Sequence, residues 1–166
     1  MDINLLMRDF ELLLLLGVSN TMPIVARIVF KRHLETPVDF DRLFFLDRRP
    51  VFGPHKTWRG ICSSIVGTAF LAWLLGLDVI TGMKLAFFSM AGDLIASFIK
   101  RRMNLRSGAK ATGIDQGIEA FLPLVIMKGE LGITWIECLV ITIVFTLMEI
   151  VLSPIFYRLG FRRHPY

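Results

Sequence analysis

The sequence predicts an all-α integral membrane protein with five transmembrane helices, its N-terminus outside, its C-terminus cytoplasmic, and a long cytoplasmic loop after the first helix. Three observations predict this. The 166 residues are 54% apolar and only 20% charged, with a mean hydropathy of +0.61, well above the composition of a soluble domain. The apolar residues are gathered into blocks, and nearly all the Lys and Arg lie between them. Those cations also alternate in side: the stretches after the first, third and fifth blocks hold 7, 5 and 3 of them, against Arg8, Lys84 and Lys128 on the other side. The positive-inside rule then sets the orientation. A chain of this length is read as one membrane-embedded domain, residues 1–166.

The first span runs from about Phe10 to Phe30, long enough at roughly 1.5 Å per residue to cross a hydrocarbon core of about 30 Å. Asn20 and Arg27 lie seven positions apart and share a face, and Pro23 between them should bend the helix or free a carbonyl. The apolar start has no small-residue cleavage site and the pattern continues past it, so it is not read as a removed signal peptide.

The loop from Lys31 to Arg59 carries Lys31, Arg32, Arg42, Arg48, Arg49, Lys56 and Arg59. Phe44-Phe45-Leu46 and Val51-Phe52 supply apolar residues with which it can lie on the membrane, which argues against disorder. Its end, Gly53 to Gly60, combines turn formers, phosphate-binding cations and an interfacial Trp58. The second span follows directly, Ile61 to about Leu77. After a turn at Asp78 to Gly82, the third runs from Met83 to about Ile99.

That third span carries Asp93, Ser97 and Lys100 at i, i+4 and i+7, on one helical face. An aspartate inside a membrane span is expensive, and its default reading is a functional site with a partner. Lys100, Arg101, Arg102, Arg106 and Lys110 then lead to Asp115. The fourth apolar stretch, Ile118 to Met127, is too short to cross alone. Either the segment is re-entrant or a helix starts near Ile114; Asp115, Gln116 and Glu119 favour the helix, with a beginning that faces protein or water, and Pro123 predicts a kink. After Lys128-Gly129-Glu130 comes the last span, Leu131 to about Phe156, carrying Glu137 and Glu149, and then a basic tail with Arg158, Arg162 and Arg163.

Cys62 and Cys138 stand alone in apolar stretches and are read as small buried residues. His33, His55 and His164 show no ligand spacing to one another or to the cysteines, which argues against a histidine or thiolate metal site. Two carboxylates without such support suit a hard cation such as Mg²⁺, with substrate phosphates completing its shell. Around Asp93 and Asp115 stand more cations than these two charges need, as a polyphosphate substrate would require. For any one of those cations, orientation signal and anionic-lipid contact is the competing reading. Gly53 to Thr57 is no P-loop, because His55 precedes Lys56 and no strand leads into it. The repeated-aspartate pattern of membrane enzymes that displace CMP from CDP-lipids is absent, and no internal repeat supports an inverted-repeat transporter.

The block from Asp47 to Gly60, containing GPHKTWRG, the block Gly92 to Arg102, GDLIASFIKRR, and Ile114-Asp115-Gln116 together resemble the CDP-archaeol synthase family, a relative of the CDP-diacylglycerol synthases. The resemblance covers nearly the whole chain, with Asn20 and Pro23 also fitting the family's first helix. It implies a five-span cell-membrane cytidylyltransferase, active on the cytoplasmic side, that uses Mg²⁺ to convert CTP and a lipid phosphate into a CDP-lipid and pyrophosphate. It implies that Asp93 and Asp115 hold the metal and that Lys100, Arg101 and Ser97 contact phosphates. Lys56, Thr57 and Arg59 would close over the nucleotide or lipid phosphate, with Asn20 and Gln116 also binding substrate. The bacterial diacylglycerol-type ending is replaced here by Arg106 to Asp115, which favours the archaeol-type branch and leaves an acyl phosphatidic acid open. The partners expected are CTP, the lipid phosphate and membrane lipids, not nucleic acid. A non-catalytic protein that binds or transports anionic lipids is the alternative, and it leaves the Asp93 to Lys100 face unexplained.

Overall fold

The computed structural model describes residues 3–31, 33–39, 50–105 and 113–158. Arg32, Arg42, the Phe44-Phe45-Leu46 piece, Asp47, Arg48, Arg49, Arg106, Lys110, Arg162, Arg163 and His164 lie outside them. The described residues form α1 (Ile3–Phe30), α2 (Trp58–Leu74), α3 (Val79–Arg102), α4 (Ile114–Ile126), the single turn α5 (Lys128–Leu131) and α6 (Trp135–Arg158). Among the described residues, three stretches are long and apolar enough to cross a membrane: Ile3–Phe30, Val79–Arg102 and Trp135–Ile155. At 17 and 13 residues, α2 and α4 fall short of the ~20 residues that a full crossing needs.

Local chemistry sets the helix ends. The Thr57 hydroxyl caps α2 by accepting the Gly60 N–H at 3.2 Å, and the Asp78 carboxylate caps α3 by accepting from the Thr81 N–H and hydroxyl at 2.8 and 2.9 Å. These bonds hold the Asp78 carboxyl below the usual aspartate range. Thr57 starts α2 at Trp58, three residues before the predicted span. α4 begins at Ile114, as expected from its polar first turn. The last predicted span is corrected: Gly132 is left-handed at φ 63° and separates α5 from α6. Thr134 and Glu137 then cap α6 reciprocally, the Glu137 carboxylate accepting from the Thr134 N–H at 2.6 Å and the Thr134 hydroxyl from the Glu137 N–H at 3.2 Å. Glu137 also pairs with Arg8 of α1, so it is an end cap and not a charge carried across the membrane.

The helices pack in the order α1, α2, α3, α4, α6, with α1 also against α3, and α6 returns to pack beside α1. Pro23 lies inside a continuous α1. It has no N–H for the Ser19 carbonyl one turn back, and the Ser64 hydroxyl of α2 donates to that carbonyl at 2.9 Å. The proline does free a carbonyl, and α2 satisfies it in a site that admits no water.

The apolar core is built from Leu12, Leu15 and Leu16 of α1, Leu85 of α3, Leu124 of α4 and Ile141 and Phe145 of α6. These residues occupy the half of the bundle that holds the start of α1 and α6 and the end of α4. Buried polar residues fill the other half: Ser19, Ser64, Ser97, Lys100, Arg101, Gln116, Glu119, Glu149 and Ser153. Outward faces are apolar instead, with Phe70 and Trp73 on α2 and Ile136, Leu139, Val140, Ile143 and Leu147 on α6 all exposed. Such continuous exposed apolar faces fit lipid and not water. Cys138 is buried as expected, whereas Cys62 is exposed on α2.

Among the described glycines, the closest approach of backbone to backbone is at Gly92. A Cβ there would lie 2.7 Å from the Ile118 carbonyl oxygen and 3.0 Å from the Glu119 Cα, so α3 and α4 touch backbone to backbone. Gly92→Ala is expected to force them apart and cost about 1–3 kcal/mol, read as a lower melting temperature in detergent. Gly117→Ala on α4, where a Cβ meets nothing within 4 Å, is expected to stabilise by up to about 1 kcal/mol. Ser64→Ala strands the Ser19 carbonyl and is expected to cost about 1–3 kcal/mol. Adding Pro23→Ala, which restores a helical donor to that carbonyl, should recover part of the loss in the same melting measurement.

Candidate active site

The site is built where the C-terminal half of α3, the first turns of α4 and the end of the first loop meet. The loop reaches it because its two described arms pair. Pro37 and Thr57 form an isolated antiparallel bridge, the Val38 N–H donates to the Lys56 carbonyl at 2.8 Å, and the Trp58 N–H donates to the Thr36 carbonyl at 3.1 Å. Asp39, 3% exposed, accepts from the Phe52 N–H at 2.9 Å and the Gly53 N–H at 2.7 Å. The returning arm is tied to the end of α3, where Arg102 donates to the Pro50 carbonyl at 2.7 Å.

This scaffold carries Lys56 over Asp93. Its ammonium donates to both carboxylate oxygens, at 2.6 and 2.5 Å. Burial by itself would lower the Lys56 pKa. The Asp93 carboxylate, with Glu119 and Asp115 in electrostatic reach, holds it above the ordinary lysine value. Lys56 therefore stays charged and acts as a cation, not as a base. Two turns along α3, Lys100 donates to Asp115 at 2.8 Å, and Arg101 also lies within electrostatic reach of that carboxylate. Ser97, 2% exposed, lies on the helical face between Asp93 and Lys100. Sequence spacing put Asp93, Ser97 and Lys100 on one face, and the fold adds Asp115 and Lys56 to it.

Thr57, Arg59 and Gln116 stand at the edge of this cluster with structural partners. Thr57 caps α2. Arg59 donates to the carbonyls of Lys31 and His33, at 3.0 and 2.6 Å, and so closes the end of α1. Gln116 accepts from the Gly113 N–H at 3.0 Å, which holds the start of α4 next to Asp115. Asn20 is half-buried on α1, beside Ser19, and among the described residues its side chain makes no hydrogen bond.

Two acidic residues of the cluster were not among the predicted site residues. Glu119 is 5% exposed and in electrostatic reach of Asp93, Glu149, Lys56 and Asp115. Its position four residues after Asp115 places it on the same face of α4, and this spacing was the available signal. Glu149, also buried, comes from α6, which nothing in the local sequence connects to α4. Among the described residues no three His, Cys, Asp or Glu side chains converge as a ligand set for a metal. The donors on offer to a cation are carboxylate oxygens from separate helices. Asp39→Ala, which leaves the buried Gly53 and half-buried Phe52 N–H groups unpaired, is expected to cost the loop about 1–3 kcal/mol, read as faster proteolysis within 50–57 while the helical bundle stays intact.

Comparison with known proteins gives the family and the fold. The family model described as "CarS-like: CDP-archaeol synthase" matches residues 3–166. A CDP-archaeol synthase of Sulfurisphaera tokodaii is 34% identical over 139 residues, 79% of this chain and 82% of that protein. Another, from Pyrococcus horikoshii, is 34% identical over 127 residues, 70% and 71% of the two chains. A solved intramembrane enzyme of archaeal membrane lipid biosynthesis has the same fold, with a TM-score of 0.68 over 85% of this chain and 89% of that one, at 24% identity. With the match running through both motif blocks and every helix, the chain belongs to the CDP-archaeol synthase family.

Proposed function

We propose that the protein transfers a cytidylyl group from CTP to an archaeol-type lipid phosphate, giving a CDP-lipid and pyrophosphate, and that the Lys56–Asp93 and Lys100–Asp115 pairs form its reacting centre. Family membership carries the reaction class. The observation that carries the site is the gathering of two largely shielded lysine–aspartate pairs from the loop, α3 and α4 in the polar half of the bundle. Anionic-lipid binding alone asks for exposed cations, not for half-buried carboxylates matched to them.

In this reading an oxygen of the lipid phosphate attacks the α-phosphorus of CTP. A new P–O bond forms there as the bond to the pyrophosphate oxygen breaks. The attacking oxygen is already anionic at neutral pH, so no general base is required. Lys100, Arg101 and Lys56 neutralise phosphate charge and align the two substrates, and Ser97 offers a hydroxyl to a phosphate oxygen. Thr57 and Arg59 hold the loop that brings Lys56 in, and Gln116 holds the start of α4. Asn20 faces the substrates from α1.

The donor chemistry fits Mg²⁺, which binds through one or two carboxylates and leaves the remaining positions to water and phosphate oxygens. Asp93 and Asp115 would hold it, and when bound it would supply further neutralisation of the triphosphate. The five longer helices, α1 to α4 and α6, would all be embedded, α2 and α4 with their polar starts toward the lysine–aspartate pairs. The N-terminus would be outside and both motif loops would lie on the cytoplasmic side, as the distribution of Lys and Arg supports.

The test is pyrophosphate release by purified protein in detergent, offered CTP, Mg²⁺ and either an isoprenoid ether lipid phosphate or a diacyl phosphatidic acid. Release is expected with the ether lipid, lost on chelation and absent with ATP, GTP and UTP. Asp93→Ala and Asp115→Ala should each lower turnover by about a thousandfold or more while the melting curve stays cooperative. Full activity in both variants would refute the assignment.

A further inference from the structure

We infer that Glu119 is a positioning residue that receives the Lys56 ammonium whenever Asp93 releases it to take up its own ligands. The inference rests on the reading that Asp93 engages a divalent cation. It starts from a conflict in the site. Lys56 occupies both oxygens of Asp93, so nothing else can use that carboxylate fully until the ammonium moves. The Lys56 backbone cannot carry it away, because its carbonyl accepts from Val38 and its N–H donates to the Gly53 carbonyl at 3.2 Å. Only the side chain is free to turn.

A displaced ammonium in this buried half needs another acceptor, since an unpaired charge there is costly. Glu119 has one to offer. Its Oε1 is buried and has no hydrogen-bond partner, a deficit that needs its own explanation in a folded protein. Glu119 lies in electrostatic reach of both Lys56 and Asp93. Its Cα is pressed against Gly92, the residue preceding Asp93, so it cannot move off. The groups facing it are Asp93 of α3, Asp115 of its own helix, Glu149 of α6 and Lys56 of the loop. Lys56 is the cation among them. A rotation of the Lys56 side chain from Asp93 to Glu119 resolves both deficits and keeps the loop fastened to the bundle throughout.

The test uses the full chain in detergent without nucleotide or lipid, with Mn²⁺ as the probe followed by electron paramagnetic resonance. Four proteins are compared: wild type, Glu119→Gln, Lys56→Met and the double variant. Wild type should bind Mn²⁺, and Glu119→Gln should bind it about tenfold more weakly, because Lys56 then has no charged acceptor away from Asp93. Lys56→Met should bind more tightly than wild type. In the Lys56→Met background Glu119→Gln should change the affinity by no more than about twofold.

An undiminished loss in that background would overturn the inference, since Glu119 would then act as a ligand or a simple charge. Unchanged binding by Glu119→Gln, or no gain in Lys56→Met, would also overturn it while leaving the cation at Asp93 intact. Absence of Mn²⁺ binding by the wild type would overturn the cation reading and this inference together. Should Glu119→Gln fail to give a cooperative melting curve, Glu119→Asp, which withdraws the carboxylate by one methylene, is read in the wild-type and Lys56→Met backgrounds by the same comparison.

Discussion

Two aspartates sit in the polar half of a bundle whose outer faces are apolar, and each is matched by a lysine. A carboxylate left unpaired in such a place would cost several kcal/mol, so the positions of Lys56 and Lys100 are as constrained as those of Asp93 and Asp115. Much of the surrounding structure follows from that constraint. Lys100 comes from the same helix as Asp93, so α4 must bring Asp115 to it. Lys56 comes from the loop, so the loop must be folded back over α3.

Both requirements are met by close backbone contacts. Gly92 lets α3 and α4 approach until backbone touches backbone, which sets Asp93 and Lys100 against Asp115 and Glu119. The loop is held by the Pro37–Thr57 bridge, by Asp39 on the Phe52 and Gly53 amides and by Arg102 on the Pro50 carbonyl. Several motif residues serve this scaffold directly: Thr57 caps α2, Arg59 caps α1 and Gln116 caps α4. A motif that reads as a phosphate-binding run is thus in part a set of helix ends, which bring the phosphate-binding cations to one place.

The bundle also separates its two tasks along its length. Leucine, isoleucine and phenylalanine close the half away from the loops, while serines, lysines and carboxylates line the half beneath them. The Pro23 site shows how the polar half tolerates irregularity, since the freed Ser19 carbonyl finds the Ser64 hydroxyl across the α1–α2 contact. Chemistry that depends on charge neutralisation gains from such an arrangement, because preformed cations in a medium of low polarity act on phosphate more strongly than they would in water.

The sequence by itself determined the helical membrane class, the start of α4 at Ile114 and the shared face of Asp93, Ser97 and Lys100. Each of these follows from local periodicity and composition, which act within a few turns of helix. The family was also legible, because its motifs are contiguous. Partners across elements were decided only by the tertiary structure: Lys56 with Asp93, Lys100 with Asp115, Glu149 near Glu119, and Glu137 with Arg8. Those pairs are 37, 15, 30 and 129 positions apart, and no local rule relates residues so distant. Low polarity and close packing select among the possible partners, and both exist only once the helices have come together.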